Sequence, residues 1–159
     1  MYVFLSCTAQ KKPYRCEAQK LYSESEFFSK SLEYARTLVD DNHIFILSAK
    51  HHLLKLTDVI GPYNKTLNSM SVDQVKEWAE KTLEEMKAHH IDFDKKAVFL
   101  TGITYRKFIQ DNFRQFECPI EGKQIGDILH WYCRQLGTTN ESLKYHLMES
   151  LGCWEDEVL

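Results

Sequence analysis

The chain of 159 residues has the length of one domain, and its 43% hydrophobic and 13% aromatic content is typical of a folded globular protein. A formal net charge of −3 excludes a generally basic nucleic-acid coat, and no apolar run reaches the roughly 20 residues of a membrane-spanning helix. Residues 1–6 enter a predicted core strand without the basic flank of a signal peptide, so we expect a cytoplasmic protein with one α/β domain over residues 1–159.

Three continuous apolar runs predict strands that are buried on both faces of a parallel sheet. They are residues 2–6, 43–48 and 97–101, and none of them alternates between polar and apolar side chains as a half-exposed strand would. A shorter segment, residues 116–118, is a candidate for an extra strand.

Helical spacing of apolar residues follows or separates these strands. Ser23-Glu24-Ser25-Glu26 predicts a capping box before the first helix, and Ser71 with Gln74 predicts the N-cap of the second, while Gly137 is a predicted C-cap. The predicted helices cover residues 25–39, 72–89, 104–112, 125–136 and 141–151. The alternation of strands and helices predicts a three-layer αβα sandwich with a mainly parallel central sheet.

Ligands of such sheets bind beyond the carboxyl ends of the strands. The sequence therefore nominates three loops, residues 7–22, 49–70 and 102–105. The second loop has about twenty residues and no predicted element, and a loop of that length in a compact domain usually carries function.

Five cysteines include no C-x-x-C pair, and a disulfide framework or structural zinc site would need a different arrangement. We therefore expect reduced thiols, no metal and no cofactor. Cys7, at the end of the first strand, is a candidate nucleophile only if His51 serves as its base.

The second loop contains the densest group of polar side chains in the chain. Lys50, His51, His52, Asp58 and Asn64 all follow one buried strand. Each has an ordinary structural interpretation, such as an ion pair for Lys50 or a turn cap for Asp58. We nevertheless predict that at least one residue other than His52 takes part in chemistry.

A series of short motifs, in order along the chain, resembles a bacterial and phage domain family of unknown function. The motifs are Leu5-Ser6-Cys7, Lys11-Lys12, Leu21-Tyr22, Ser48-Ala49-Lys50-His51, Pro62-Tyr63, Phe99-Leu100-Thr101-Gly102, Tyr105-Arg106 and Gly122-Lys123-Gln124-Ile125-Gly126. The resemblance covers about residues 2–132. Two departures are His52, where the family usually has glycine, and the absence of the water-activating motif of classical uracil glycosylases.

This family is similar, more distantly, to the peroxide-stress YaaA proteins and to a domain of archaeosine synthase, and through the latter to the uracil-DNA-glycosylase-like fold. Antiphage DNA glycosylases of the Brig type, which excise glucosylated hydroxymethylcytosine from phage DNA, are the nearest functional precedent. The resemblance implies a DNA glycosylase acting on a modified base in phage DNA, with antiphage defence as its role.

Cleavage of an N-glycosidic bond needs an anionic group near the sugar C1′ and hydrogen-bond donors for the departing base. Asp58, the acid of the second loop, is the predicted carboxylate; Asn64 would position water, and Lys50 and His51 would supply charge or donors. The predicted substrate-binding residues are Ser6, Cys7, Tyr22, Tyr63, Thr101, Gly102 and Tyr105, and the predicted DNA-backbone contacts are Lys11, Lys12 and Arg15.

Two other functions stay open from the sequence. A non-catalytic nucleic-acid-binding protein, as the YaaA resemblance permits, predicts salt-sensitive binding that substitution of Asp58 leaves intact. A nucleoside or nucleotide hydrolase, or a deoxyribosyltransferase, predicts turnover of small molecules that is indifferent to neutralisation of Lys11, Lys12 and Arg15.

Overall fold

The computed structural model describes residues 1–137, and a five-stranded sheet forms its centre. In spatial order the strands are β4 (His52–Lys55), β3 (Ile44–Ser48), β1 (Tyr2–Ser6), β6 (Lys96–Leu100) and β7 (Gln115–Glu117). β4 is antiparallel to β3, and all other neighbouring strands are parallel. Two short strands, β2 (Cys16–Glu17) and β5 (Val59–Ile60), pair antiparallel in a separate sheet.

Within residues 1–137, five α-helices accompany the sheet. They are α1 (Ala18–Leu21), α2 (Glu26–Leu38), α3 (Val72–Ala88), α4 (Ile103–Arg106) and α5 (Ile125–Leu136), with 3₁₀ turns at Asp41–His43, Leu67–Ser69 and Gln110–Asn112. α2 packs on β1 and α5, and α3 packs on β4. The predicted mixed α/β class with a mainly parallel sheet is therefore confirmed. Within residues 1–137, no helix is both long and apolar enough to cross a membrane.

Phe4 lies at the centre of the core and is fully buried. The parallel register places it beside Phe45 and Phe99, and its ring stacks on theirs at centroid distances of 5.9 and 5.1 Å. Phe113, just before β7, adds a tilted contact at 5.5 Å. These contacts explain why β1, β3 and β6 were recognisable as continuous apolar runs, since no position of β1 faces solvent.

The prediction that residues 49–70 form a loop without a regular element is wrong, because this segment contains regular structure. β4, β5 and the 3₁₀ turn Leu67–Ser69 all lie within it. β4 has only four residues and turns straight back along β3, so it produces no separate apolar run. The predicted helix over 104–112 is also too long: α4 ends at Arg106, and a separate 3₁₀ turn, Gln110–Asn112, follows it.

The predicted capping box at Ser23–Glu26 is likewise wrong. Ser25 is the N-cap of α2, and its hydroxyl accepts a hydrogen bond from the Phe28 amide at 3.2 Å. The predicted capping box of α3 at Ser71 and Gln74 is present, as is the left-handed C-cap Gly137 of α5, with φ 70°. The predicted helix over 141–151 and Cys153 lie outside the described residues.

Ser25→Ala should therefore lower the free energy of unfolding by about 1–2 kcal/mol, because it removes the buried cap of α2. Ser23→Ala is the matched control: Ser23 is exposed and does not cap the helix, so we expect a change within about 0.5 kcal/mol. Urea denaturation followed by circular dichroism measures both. Equal losses would contradict the cap assignment.

Candidate functional site

Two predicted site residues, Ser6 and Thr101, and one that was not predicted, Ser48, mark neighbouring strand ends at the carboxyl edge of the sheet. Ser6 ends β1, Ser48 ends β3, and Thr101 directly follows β6. All three are buried. The Cys7 amide extends the strand pairing by donating to the carbonyl of Leu47 at 3.0 Å. The parallel topology therefore gathers the three nominated loops, as open α/β sheets generally do.

A chain of hydroxyl groups joins the first loop to the second. The Tyr22 and Tyr63 hydroxyls are hydrogen-bonded at 2.5 Å, and Tyr63 is hydrogen-bonded to Ser48 Oγ at 2.8 Å. Ser48 Oγ also accepts from the His51 amide at 3.0 Å. Burial raises the pKa of both tyrosines above its ordinary value, so both remain neutral phenols near pH 7.

Two lysines approach the ring of Tyr63. Lys11 Nζ lies 4.4 Å from the ring centroid and Lys50 Nζ lies 5.9 Å from it. Lys11 is also 5.9 Å from the Tyr22 ring. These cation–π contacts position ammonium groups from two different loops around one aromatic ring. We refer to Tyr22, Tyr63, Ser48, His51 and these two lysines as the tyrosine cluster.

His51 is the titratable base of the tyrosine cluster. Its ring meets the Tyr63 ring edge-on at a centroid distance of 5.4 Å. Burial lowers the pKa of His51, and the positive charges of Lys50 and His52 lower it further, so the imidazole is neutral near pH 7. Its Nε2 atom is buried and has no hydrogen-bond partner within residues 1–137. A buried polar atom without a partner calls for an explanation, and a catalytic role is one of them.

Tyr105, in the third loop, is hydrogen-bonded to one residue of each of the other two loops. Its hydroxyl accepts hydrogen bonds from Cys7 Sγ at 3.4 Å and from the Leu67 amide at 3.5 Å. Its ring is buried edge-on against Trp78 at 5.8 Å, which leaves little surface for a ligand to stack on. The thiol of Cys7 is thus directed towards Tyr105, whereas the candidate pairing of Cys7 was with His51.

Gly102 and Arg106 shape the third loop. Gly102 is the N-cap of α4, and the Thr101 hydroxyl donates to its carbonyl at 3.1 Å. Arg106 is only 2% exposed, and its guanidinium reaches Gln110 at 3.4 Å and Glu121 at 3.6 Å. The Gly102 backbone therefore lies at the strand end as predicted, while Arg106 ties α4 to the segment before α5.

The structure does not bring Asp58 to the tyrosine cluster. Its carboxylate accepts a hydrogen bond from the Lys55 amide at 2.8 Å and closes the turn after β4. Lys55 pairs with Phe45, whereas His52, at the other end of β4, pairs with Ser48. Asp58 therefore belongs to the opposite end of β4, and this position does not favour the predicted catalytic role.

Asn64 and the remaining basic residues lie at the surface. Asn64 is exposed next to Tyr63. Lys12 forms an ion pair with Glu24 at 2.7 Å, and this hydrogen bond raises the pKa of Lys12. Arg15 donates to the carbonyl of Val59 at 3.2 Å. Of the three predicted phosphate contacts, Lys11 is the one that belongs to the tyrosine cluster, through its contact with the Tyr63 ring.

Two residues near the site were missed by sequence reasoning. Trp78 donates its indole N–H to the carbonyl of Ser48 at 2.9 Å, although its helical spacing indicated only a core position. The side-chain amide oxygen of Gln10 is buried and has no hydrogen-bond partner in the described part of the chain, and the same is true of the Ser6 hydroxyl oxygen. No sequence signal distinguished Gln10 from the rest of its loop.

The departure at His52 has a simple structural explanation. His52 adopts φ 64°, the left-handed conformation that glycine takes without steric cost. Its ring stacks on Trp78 at a centroid distance of 6.4 Å. The turn therefore keeps the backbone that a glycine would take, at a local cost of about 1–2 kcal/mol.

The amino-acid sequence matches the model of one protein family, whose function is unknown. The model of a family described as a family of unknown function (DUF6884) matches residues 2–134. No curated protein matches the sequence. The matched range contains all seven strands and the whole tyrosine cluster.

Proposed function

The chain belongs to the DUF6884 family of unknown function, and we propose that it is a DNA glycosylase, with a uracil-DNA-glycosylase-like fold, that excises a modified base. The observation that carries this proposal is the convergence of two ammonium groups, buried hydroxyls and a neutral imidazole on Tyr63. A nucleotide would match these groups, because it presents an anionic phosphate to the ammonium groups and a ring with polar edges to the hydrogen-bonding side chains.

The ammonium groups would bind phosphate or the departing base. Lys11 comes from the first loop and Lys50 from the second, so an anion bound near the Tyr63 ring would meet both charges. Negative charge develops on the base as the glycosidic bond breaks, and preorganised donors stabilise it without reorganisation cost. The hydroxyls of Tyr63 and Ser48 are already fixed by their mutual hydrogen bond.

His51 is the group that we assign to water activation. A neutral imidazole offers one lone pair, and Nε2 has no partner among the described residues. The oxygen of a water molecule would bond to C1′ while its proton passes to His51. The electron pair of the C1′–N bond would leave with the base, which then takes a proton from solvent.

Asp58 remains the alternative catalytic residue, as a carboxylate near C1′, and one assay separates the roles of Asp58 and His51. DNA carrying ordinary, uracil-containing, hydroxymethylated or glucosylated bases is incubated with wild-type protein and with Asp58→Asn, and abasic sites are scored by alkali cleavage. We expect abasic sites on one modified substrate with both proteins, because Asp58 closes a turn away from the tyrosine cluster.

Each outcome of this assay decides a specific point. Loss of cleavage in a folded Asp58→Asn protein would restore Asp58 as the catalytic carboxylate. DNA binding without abasic sites on any substrate would favour the non-catalytic nucleic-acid-binding alternative, which the engagement of Asp58 in a turn also permits. Free nucleosides in the same series test the small-molecule hydrolase or transferase.

A further inference from the structure

A cavity lies between the start of α3 and α4. Its volume is about 390 Å³, within the range of small-ligand sites. Its walls are mainly apolar, with Leu67, Met70 and Val75 on one side and Ile103 and Phe108 on the other. An apolar cavity of this size accommodates one aromatic ring system together with its substituents.

Two lysines flank the ring that lines this cavity. Lys76 Nζ lies 5.5 Å and Lys107 Nζ lies 5.4 Å from the centroid of Phe108. Lys76 comes from α3, and Lys107 follows α4. Neither forms an ion pair within residues 1–137, although both are exposed. The aromatic wall of the cavity therefore has two lysines beside it that form no ion pair among residues 1–137.

Polar groups complete the lining. Asn68 and Thr104 are among the residues that line the cavity. An amide such as that of asparagine can donate to and accept from the edge of a nucleobase at once. A buried hydrogen-bonded link connects the cavity to the first loop, since the amide of its lining residue Leu67 donates to the Tyr105 hydroxyl, which also accepts from Cys7.

We propose that this cavity is a nucleotide-binding site, with the base between Phe108 and the apolar residues of α3 and the phosphate held by Lys76 and Lys107. The proposal goes beyond base excision, because binding here requires no chemistry at His51. The nucleotide is either a free mononucleotide or one nucleotide of a DNA strand whose neighbour occupies the tyrosine cluster. The shared chemistry is a nucleobase with a phosphate at its sugar.

The test measures binding of thymidine, thymidine monophosphate and a short fluorescein-labelled oligothymidylate to the full chain. Lys76→Glu/Lys107→Glu should weaken binding of the phosphate-bearing probes by about tenfold or more, because two charge-assisted contacts are reversed. Lys87→Glu is the matched control, an exposed lysine in the last turn of the same helix, and should leave affinity unchanged. Thr104→Phe fills the cavity without changing charge and should weaken the same probes.

Thermal unfolding confirms that each variant is folded before its affinity is compared. Binding of the monophosphate identifies a free nucleotide as the ligand, and binding of the oligonucleotide alone identifies a DNA strand; both outcomes support the site. The inference is overturned if no probe binds, if thymidine binds as well as its monophosphate, or if the double variant binds like Lys87→Glu. Because affinity is measured separately from abasic-site formation, failure here leaves base excision standing, and the reverse is also true.

Discussion

Replacing His51 with alanine is expected to lower the rate constant of base excision by about 10²–10⁴-fold, the usual contribution of a general base. The reason is that the tyrosine cluster places a neutral imidazole with an unpaired buried Nε2 beside two ammonium groups. Single-turnover cleavage at saturating DNA measures this constant, and His130→Ala, which removes an exposed imidazole from α5, is the control.

The pH profile provides an independent check of the same assignment. Burial and the nearby positive charges lower the pKa of His51 below its ordinary value of 6.5. Only the neutral form of His51 accepts a proton. The rate constant of base excision should therefore be at its maximum near pH 7 and should fall as the pH drops through this lowered pKa. Lys50→Ala removes one charge that lowers the pKa, so the inflection should move to higher pH. A profile that stays unchanged in Lys50→Ala, or wild-type rates in His51→Ala, would exclude His51 as the base.

Replacing Phe4 with alanine should lower the free energy of unfolding by about 3–5 kcal/mol. The side chain is fully buried and its ring contacts Phe45, Phe99 and Phe113 at centroid distances of 5.9, 5.1 and 5.5 Å. These neighbours belong to two other strands and to the approach to β7, so the surroundings can collapse only partly around the missing ring.

Equilibrium urea denaturation measures this loss. Phe116→Ala is the matched control, because Phe116 lies on the edge strand β7 and is 39% exposed. We expect it to cost less than about 1 kcal/mol. Similar losses for the two variants would contradict the placement of Phe4 at the centre of the core.

The two proposals assign different tasks to neighbouring parts of the carboxyl edge. The tyrosine cluster contains a base and hydrogen-bonding hydroxyls, as chemistry at a sugar–base bond requires. The cavity beside Phe108 contains apolar walls and two lysines, which suit binding alone. The hydrogen bond from the Leu67 amide to Tyr105, whose hydroxyl also accepts from Cys7, links the cavity to the first loop through buried residues.

Local sequence patterns were sufficient for the core of the fold. The continuous apolar runs predicted β1, β3 and β6 to within one residue at each end, because burial on both faces leaves the interior positions of these strands apolar. The cap of α3 and the C-cap of α5 were predicted because they depend on residues within a few positions of each other. β4 was missed because its four residues are stabilised by pairing with β3 rather than by a pattern of their own.

The sequence by itself determined a mixed α/β fold and the three loops in which polar residues collect. Only the tertiary structure decided which of those residues meet: Tyr22 and Tyr63, 41 positions apart, share a hydrogen bond, while Asp58 turns away to cap Lys55. The physical reason is that the reversal of β4 sends the chain back along β3 before it returns to the carboxyl edge at Tyr63. Nearness in sequence therefore says little about nearness in this loop, because long-range strand pairing determines the path of the backbone.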